Sequence, residues 1–456
     1  MRQVKIGAGQ GFYGDVIGPA LDLAELTDVQ YLCFDTLAEL TLAILQKDRQ
    51  KDPSLGFAKD IAVTAKTLLP YVHEKGLKLI TNAGGLNPEG ARREVARVAK
   101  ELGLTGLKIG VATGDDLFCR LDELQAAGAD LSDLGSGRPL SAVRDQLLFA
   151  NAYLGAAPIV EALRQGADVV ITGRTTDTAQ FLAPAMFELG WAPDDWDKLA
   201  QGVVLGHLME CSGQVTGGNF SGDWWNIEDM DRLGYPLAEV NEDGSFVLTK
   251  APGTGGRVSV DTVREQLLYE IHDPAEYVTP DVVVDMTTVQ LADDGPDRVR
   301  VTGARGRPAP PALKVIAGYR DGFMGSGMVG FSWPYALRKA RRAAEIIRKQ
   351  LDRLGVQYEE FSADYLGVNA LHGPAAPIPD EDQINEVFLR VSIRTRDREE
   401  AAKLGRLLPP LVLNGPPGVA MMPFAAHTRE LIGLWSFLVD RRLVEPFVRV
   451  SVEEVR

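Results

Sequence analysis

The sequence predicts an α/β protein with two domains: a parallel, doubly wound, Rossmann-like sheet in residues 1–280 and an α+β sandwich in residues 281–456. In the first part, short apolar runs alternate with amphipathic stretches, which is typical of βαβ units. After Pro280 the pattern changes to alternating strands joined by turn residues. The chain has 456 residues, which is more than one hydrophobic core usually serves, so we expect two domains.

The elements of the first domain follow from hydrophobic periodicity. Two helical patterns, Asp60–Lys75 and Asn87–Glu101, separate the apolar runs. Asn87 followed by Pro88 indicates a helix start, because asparagine caps helices and proline suits the first turn. The predicted strands are Val4–Ile6, Val29–Phe34, Leu77–Ile80, Leu107–Val111 and Val169–Ile171.

In the second domain, alternating apolar and polar residues predict strands, and two longer amphipathic patterns predict helices. The helices are expected over Pro334–Leu354 and Arg398–Leu408. This change of character places the domain boundary near Asp281. The predicted strands are Val282–Val289, Arg298–Thr302, Lys314–Tyr319, Phe388–Arg394 and Phe447–Val452.

Composition limits the partners. The formal net charge is −15, and an acidic surface repels nucleic-acid backbones and anionic lipid headgroups. The three cysteines, Cys33, Cys119 and Cys211, form no CxxC pair, which is typical of a reducing compartment. The sequence has no signal-peptide pattern and no apolar run near the ~20 residues of a membrane helix. We therefore expect a cytoplasmic protein that binds a small molecule.

Several predicted strand ends carry glycines and short polar side chains. Ligands of doubly wound sheets lie at the carboxyl ends of the strands, so we expect these segments to line one cleft. The glycine-rich region Gly213–Gly256 offers further backbone amides to a substrate. The segments are Gly7–Gly11, Thr81–Asn87, Thr113–Asp116 and Thr172–Thr178. The candidate substrate-binding residues are Gly9, Gly11, Asn82, Gly84, Gly85, Thr175, Thr176, Gly217, Gly218, Asn219 and Gly255.

The segment Thr172–Thr178 also supplies candidate catalytic residues. Arg174 offers a bidentate donor for a carboxylate or a phosphate. Asp177 is a candidate base or cation ligand, and the alternative is that it caps the following helix. Both roles remain open at this point.

Two other polar pairs are candidates for chemistry. His207 and Glu210 share one face of a predicted helix, where they could pair an acid with a base or hold a metal. The alternative is a buried hydrogen bond between them. Asp115 and Asp116 follow a strand and are candidate ligands for Mg²⁺ or ribose hydroxyls, with solvated carboxylates as the alternative.

Two glycine-rich segments predict turns. Gly7–Gly11 follows a strand as a dinucleotide-binding turn does, with Asp35 as the candidate acidic partner, but it lacks the full GxGxxG pattern. The alternative is a turn that needs left-handed glycines. Gly325–Gly327 precedes a helix and is a candidate anion-binding turn.

Tryptophans in predicted loops suggest an apolar patch, so we expect a homo-oligomer. These tryptophans are Trp191, Trp196, Trp224 and Trp225.

From about residue 1 to about residue 440, these segments resemble the acyclic-terpene-utilisation (AtuA-like) family. The resemblance implies a role in the catabolism of branched-chain acids or their acyl-CoA thioesters, with a functional link to acyl-CoA carboxylases. It assigns no residue a catalytic role. The segments that carry it are Gly7–Gly11 with Gly14 and Asp15, Phe34–Glu39, Thr81–Pro88, Gly114–Leu117, Asn151–Pro158, Gly166–Asp177, Gly206–Phe220, Gly253–Glu270 with Asp273–Pro274, and Lys314–Gly327.

The function we expect is proton transfer or C–C/C–O cleavage, of lyase or hydratase type, on a branched acyl-CoA or carboxylic acid. Arg174 would hold an anionic group, and Asp177 or Glu210 would move the proton. A CoA thioester is a candidate substrate, and Mg²⁺ a candidate cofactor. One alternative is a nucleotide- or phosphate-dependent enzyme that uses a metal at Asp115 and Asp116. The other is a non-catalytic acyl-CoA-binding or carboxylase-associated subunit.

Overall fold

A computed structural model of the protein describes residues 2–378, 380–422 and 426–456. The chain forms two compact units, which we call the first and the second unit. The first contains Met1–Gly318 and Leu434–Arg456, and the second contains Tyr319–Gly433. Within the described ranges, no helix is long and apolar enough to cross a membrane.

Helices and strands alternate through most of the chain. The helices are α1 Gly18–Leu26, α2 Glu39–Lys51, α3 Ile61–Lys75, α4 Pro88–Glu101, α5 Leu121–Ala126, α6 Ala157–Arg164, α7 Ala179–Leu189, α8 Trp196–Met209, α9 Val260–Leu268, α10 Ala336–Arg353, α11 Arg398–Leu407 and α12 Leu411–Asn414. The strands are β1 Gln3–Gln10, β2 Tyr31–Phe34, β3 Lys78–Thr81, β4 Lys108–Thr113, β5 Leu147–Ala152, β6 Val169–Thr172, β7 Pro236–Asn241, β8 Phe246–Lys250, β9 Tyr277–Val278, β10 Val283–Asp285, β11 Gln290–Asp293, β12 Val299–Thr302, β13 Arg305–Arg307, β14 Ala312–Ser332, β15 Glu360–Leu366, β16 Glu386–Thr395, β17 Val419–Met421, β18 His427–Asp440 and β19 Arg449–Glu454.

The first unit is built on a ten-stranded sheet with the order β11-β12-β8-β7-β1-β2-β3-β6-β4-β19. Its five middle strands, β1, β2, β3, β6 and β4, are parallel. Antiparallel strands extend both edges, with β7, β8, β12 and β11 on one side and β19 on the other. Strand β2 is buried at every position, as parallel strands covered on both faces usually are.

Helices cover both faces of this sheet. On one face, α1, α3 and α4 pack against Leu32, Leu79 and Ile171. On the other face, α6, α7 and α8 pack against Cys33, Ile80 and Val170. Neighbouring residues of one strand pack into the cores on opposite faces of the sheet, because side chains alternate across a strand. The α/β prediction is confirmed, and the sheet is mixed rather than wholly parallel.

The five strands predicted for the first domain correspond to the five parallel strands. The helix predicted to begin after Asn87 is α4, and the Asn87 side chain accepts a hydrogen bond from the amide of Gly90 at 2.9 Å. Strand β5 was not predicted from the sequence. It pairs with β14 outside the ten-stranded sheet.

The predicted domain boundary near Asp281 does not coincide with the division into units, which lies at Gly318 and Tyr319. After Asp281, strands β11 and β12 join one edge of the ten-stranded sheet, and β19 covers the opposite edge. Antiparallel strands cover the unpaired backbone groups of a sheet edge, so these segments belong to the first unit.

The second unit has its own sheet, in which β14 pairs with β16 and β17, and β16 pairs with β15. Helices α10 and α11 pack on it through a core that includes Leu337, Ile347 and Leu404. The helices and the β16 strand predicted here are confirmed.

Strand replaces both predicted glycine turns, except that Gly11 follows the end of β1. Gly7 and Gly9 lie inside β1, and neither has a positive φ. A Cβ atom at Gly9 would lie 2.3 Å from the ring of Phe34. Gly325 lies inside β14, where a Cβ atom would lie 2.0 Å from the carbonyl oxygen of Ala401. These glycines allow close packing, so neither segment is a phosphate-binding turn.

The four tryptophans that suggested an apolar patch do not share one environment. Trp191 is buried, and its ring nitrogen donates to the carbonyl oxygen of Glu242 at 3.0 Å. Trp224 and Trp225 are exposed and stack edge to face. Trp196 is partly buried against the core, so only Trp224 and Trp225 support the predicted homo-oligomer, which stays a prediction.

Candidate functional site

The segment after β6 places Arg174 and Asp177 together. The guanidinium of Arg174 donates to an Asp177 carboxylate oxygen at 2.6 Å. Helix α7 starts after Thr178 without a side-chain cap, so Asp177 pairs with Arg174 rather than capping the helix. Asp177 is only half-buried, whereas the Arg174 side chain is almost completely buried. Asp177 is thus the exposed end of a buried ion pair.

Arg174 is held from several sides. One of its terminal nitrogens donates to the carbonyl oxygen of Leu37. The guanidinium lies over the ring of Tyr153, with 4.3 Å between its carbon and the ring centroid. Burial opposes the charged form, but the carboxylate of Asp177 and the neighbouring Tyr153 and Asp35 keep the pKa of Arg174 above its ordinary value. Arg174 is therefore a fixed positive charge.

Asp115 supports this segment from behind. One oxygen of Asp115 accepts from the backbone amide of Arg174 and from the side-chain amide of Asn151, both at 2.8 Å. Burial raises the pKa of Asp115 to about 6. Asp116 is exposed and accepts from the backbone amide of Phe118 at 3.0 Å. Asp115 and Asp116, the two predicted metal ligands, thus both accept hydrogen bonds from neighbouring amides.

Three carboxylates from separate elements meet beside Arg174: Asp35 after β2, Asp177 before α7 and Glu210 after α8. One oxygen from each lies within 4.8 Å of the other two. We call this group the carboxylate cluster. The amide nitrogen of Asn82 donates to Asp35 at 2.5 Å, and the Asn82 oxygen accepts from the amide of Thr36 at 2.7 Å.

Burial is the main reason why the pKa values of all three carboxyls are raised. Repulsion from Asp177 adds to this for Asp35 and for Glu210. The positive charge of Arg174 opposes the shift in each case. Carboxyls so close together in a buried place cannot all ionise without a compensating charge.

The predicted interaction of His207 with Glu210 is present. The Nδ1 atom of His207 lies 3.2 Å from Glu210 Oε1. Burial lowers the pKa of His207, which favours the neutral ring. Gly11 allows the end of β1 to approach this turn, since a Cβ atom there would lie 3.0 Å from the carbonyl oxygen of Glu210. Gly11 thus helps to position Glu210.

A cleft of about 260 Å³ opens beside the cluster, and Asp177 and Arg174 form part of its wall. The ammonium of Lys314 lies 4.9 Å from the centroid of the Tyr153 ring and 3.6 Å from a carboxylate oxygen of Glu39. The Tyr153 hydroxyl donates to Glu39. Burial alone would raise the pKa of Glu39, but this hydrogen bond and the charge of Arg174 hold it below its ordinary value.

The predicted binding residues divide into three groups. Thr176 lines the cleft, whereas Thr175 is buried next to it. Asn82 contacts the carboxylate cluster. The glycines and Asn219 lie in tightly packed or left-handed backbone: Gly9 and Gly11 contact neighbouring segments as described, a Cβ atom would meet a carbonyl oxygen at Gly84, Gly218 and Gly255, and φ is positive at Gly85, Gly217 and Asn219.

Sequence reasoning missed Glu39, Tyr153 and Lys314 as cleft residues. Nothing in their local pattern marks them, because they lie at a helix start, after the unpredicted β5 and in β14. The sequence predicted Asp35 only as the acidic partner of a dinucleotide-binding turn. Its position at the carboxyl end of a parallel strand is the signal that could have placed it in the site.

Comparison with known proteins shows the family to which the chain belongs. No curated protein matches the sequence. The model of the family described as acyclic terpene utilisation family protein AtuA matches residues 4–450 and so includes every residue of the cluster and the cleft. The chain belongs to the acyclic terpene utilisation family.

Proposed function

We propose that this protein is an enzyme of acyclic terpene utilisation that moves a proton on a branched acyl-CoA or carboxylic acid, in a reaction of lyase or hydratase type. The observation that carries the proposal is the position of Asp177. It lies in the wall of a cleft, in contact with the buried Arg174 and close to two further carboxylates.

The basic groups of the cleft suit an acidic or acyl substrate. Arg174 and Lys314 lie on the same ring of Tyr153, so that two positive charges face one cleft. A carboxylate or a thioester carbonyl bound there would be polarised by fixed donors, which stabilises the negative charge that develops when a neighbouring carbon loses a proton. The carboxylate cluster, reached through Asp177, would accept that proton.

Exchange of substrate protons with heavy water tests this proposal without knowledge of the product. The purified protein is incubated in D₂O with a panel of branched saturated and unsaturated acyl-CoAs and the free acids, and deuterium uptake is followed by mass spectrometry. We expect uptake with at least one branched compound. Asp177→Asn should reduce it at least ~100-fold, since general base catalysis contributes about that much or more.

A matched control is Asp261→Asn. Asp261 is an exposed aspartate that pairs with Arg264 three residues away, as Asp177 pairs with Arg174. This variant should exchange at the wild-type rate. Full exchange in Asp177→Asn, or none by the wild-type protein with the whole panel, would contradict the proposal.

A phosphate- or nucleotide-dependent enzyme is the second candidate, because the same two cations would suit a phosphate. Adding ATP to the panel and following thermal stability separates the two candidates. Stabilisation by an acyl-CoA and little by ATP supports the first, since a ligand at about a hundred times its Kd adds ~2.7 kcal/mol. Stabilisation by ATP alone supports the second. Stabilisation by acyl-CoA without deuterium uptake supports a non-catalytic binding subunit.

A further inference from the structure

The three carboxylates of the cluster have the spacing of ligands around one metal ion. Their nearest oxygens lie within 4.8 Å of one another. Oxygen ligands of Mg²⁺ or Ca²⁺ lie ~2.0–2.6 Å from the ion, so two ligands of the same ion are separated by no more than about twice that distance. Asp35, Asp177 and Glu210 therefore need only small side-chain movements to bind one cation.

The second observation is a buried oxygen without a partner. Glu210 is only 8% exposed, and its Oε2 atom has no hydrogen-bond donor within the part of the chain that the structure describes. Its other oxygen already faces His207. A buried polar atom without a partner destabilises a protein, and a carboxylate oxygen does so more than a neutral group. A cation among the three carboxylates would satisfy this oxygen.

The ionisable groups of the carboxylate cluster and Arg174 together also carry more negative than positive charge. When ionised, Asp35, Asp177 and Glu210 carry three negative charges. Arg174, which contacts Asp177, supplies one positive charge. The remaining charge of minus two corresponds to a divalent ion. A monovalent ion would compensate only half of it.

We propose that Asp35, Asp177 and Glu210 bind a divalent cation of the Mg²⁺ or Mn²⁺ class. All three ligands are carboxylates, which suit Mg²⁺ and Mn²⁺ better than the softer metals that sulfur and imidazole ligands select. Two neighbours orient the ligands from outside, as partners of metal ligands usually do: Asn82 donates to Asp35, and His207 contacts Glu210.

This inference rests on the proposed function, because it assigns a cofactor to the same site. A cation at this position borders the cleft through Asp177, where it would reach a carboxylate or carbonyl oxygen of the substrate. The cation would polarise that oxygen and so stabilise the negative charge that develops when the neighbouring carbon loses its proton. Binding of the cation needs no substrate, so the two proposals are measured separately.

Titration of the full chain with Mn²⁺ tests the site. The protein is treated with EDTA, dialysed, and titrated with Mn²⁺ while free Mn²⁺ is followed by electron paramagnetic resonance. We expect one tight site per chain, with Mg²⁺ competing for it. Glu210→Gln and Asp35→Asn should each weaken Mn²⁺ binding at least tenfold, and the exposed control Asp261→Asn should bind as the wild type does.

Loss of binding in these variants must be separated from unfolding. Each substitution removes a buried carboxylate that the half-buried Asp177 repels, so without metal the variants should be at least as thermally stable as the wild type. Added Mn²⁺ should raise the Tm of the wild type and leave theirs unchanged. Wild-type protein that binds no Mn²⁺ at millimolar concentration, or variants that bind it equally well, would overturn the site.

Combining the two assays distinguishes a failure of this inference from a failure of the proposed function. Deuterium uptake that persists in EDTA-treated protein without any Mn²⁺ binding removes the cation site and leaves proton transfer in place. Tight Mn²⁺ binding without uptake from any compound of the panel leaves the cation site and removes proton transfer.

Discussion

At the scale of single residues, Arg174 connects the two parts of the candidate site. Its side chain contacts Asp177 of the carboxylate cluster and Tyr153 of the cleft, and its backbone amide is held by Asp115. A buried arginine keeps its charge, and its planar fork fixes the directions of its donors. One residue therefore sets both the electrostatics of the cluster and the geometry of the cleft wall.

Gly9 allows a direct test of the packing role that replaces the predicted nucleotide-binding turn. In Gly9→Ala the new Cβ atom would lie 2.3 Å from the Phe34 ring, in the middle of the sheet. We expect a loss of unfolding free energy of ~1–3 kcal/mol, measured by urea denaturation, because overpacking of a core costs about that much.

Gly18→Ala is the control for this substitution. Gly18 is the first residue of α1, and no atom lies within 4 Å of the position that its Cβ would take. Alanine there should leave stability unchanged or raise it slightly. Equal stability of both variants would show that β1 tolerates a side chain at position 9, contrary to the packing argument.

At the scale of helices and strands, local patterns predicted what local interactions determine. The parallel strands and α3, α4, α10 and α11 were predicted because their periodicity lies within each element. The packing role of Gly9 could not be predicted in this way, because it depends on the contact with Phe34 in a neighbouring strand. The same limit applies to the cluster: Asp177 and Glu210 were candidates, but only the sheet order brings Asp35 to them.

The start of α4 shows how one predicted cap also joins elements. The oxygen of Asn87 accepts from the amide of Gly90, and its nitrogen donates to the carbonyl oxygens of Ser54 and Leu55 at 2.9 and 3.0 Å. The residue thus caps the helix and fastens the loop before α3 to it. Sequence predicts the first role, which depends on neighbours in the chain, and not the second.

Two substitutions at Asn87 separate these roles. Asn87→Ser keeps an acceptor for the helix amide and loses the two donated bonds, whereas Asn87→Ala loses all three. We expect stability to fall in the order wild type, serine, alanine, with at least ~1 kcal/mol lost in the alanine variant. Thermal or urea denaturation measures the order. Serine as stable as wild type would show that the loop contacts contribute nothing.

At the scale of the whole molecule, late segments of the chain complete the first unit, and Asp281 is part of this arrangement. It lies just before β10, and its carboxylate accepts from the amide of Ala156 at 2.9 Å, next to the start of α6. A Cβ atom at Gly155 would lie 2.4 Å from the same carboxylate, so the two segments are in close contact. This contact connects the segment near Asp281, where the domain boundary was predicted, to the rest of the first unit.

This contact makes stability depend on pH. Burial raises the pKa of Asp281 from 3.8 to about 6; the hydrogen bond from Ala156 and the charge of Arg441 oppose the shift, and Glu445 adds to it. Between these two pKa values the folded protein binds more protons than the unfolded chain, so the contribution of Asp281 to stability decreases as the pH rises from about 4 to about 6. A shift of about two units corresponds to at most ~3 kcal/mol.

Asp281→Asn keeps an acceptor for Ala156 and cannot ionise. We therefore expect the variant to gain stability relative to the wild type across this pH range, and the difference to stay constant above pH ~6. Urea denaturation of both proteins at several pH values measures the difference, and a difference that does not change with pH would show that Asp281 ionises in the folded protein as it does in the unfolded chain.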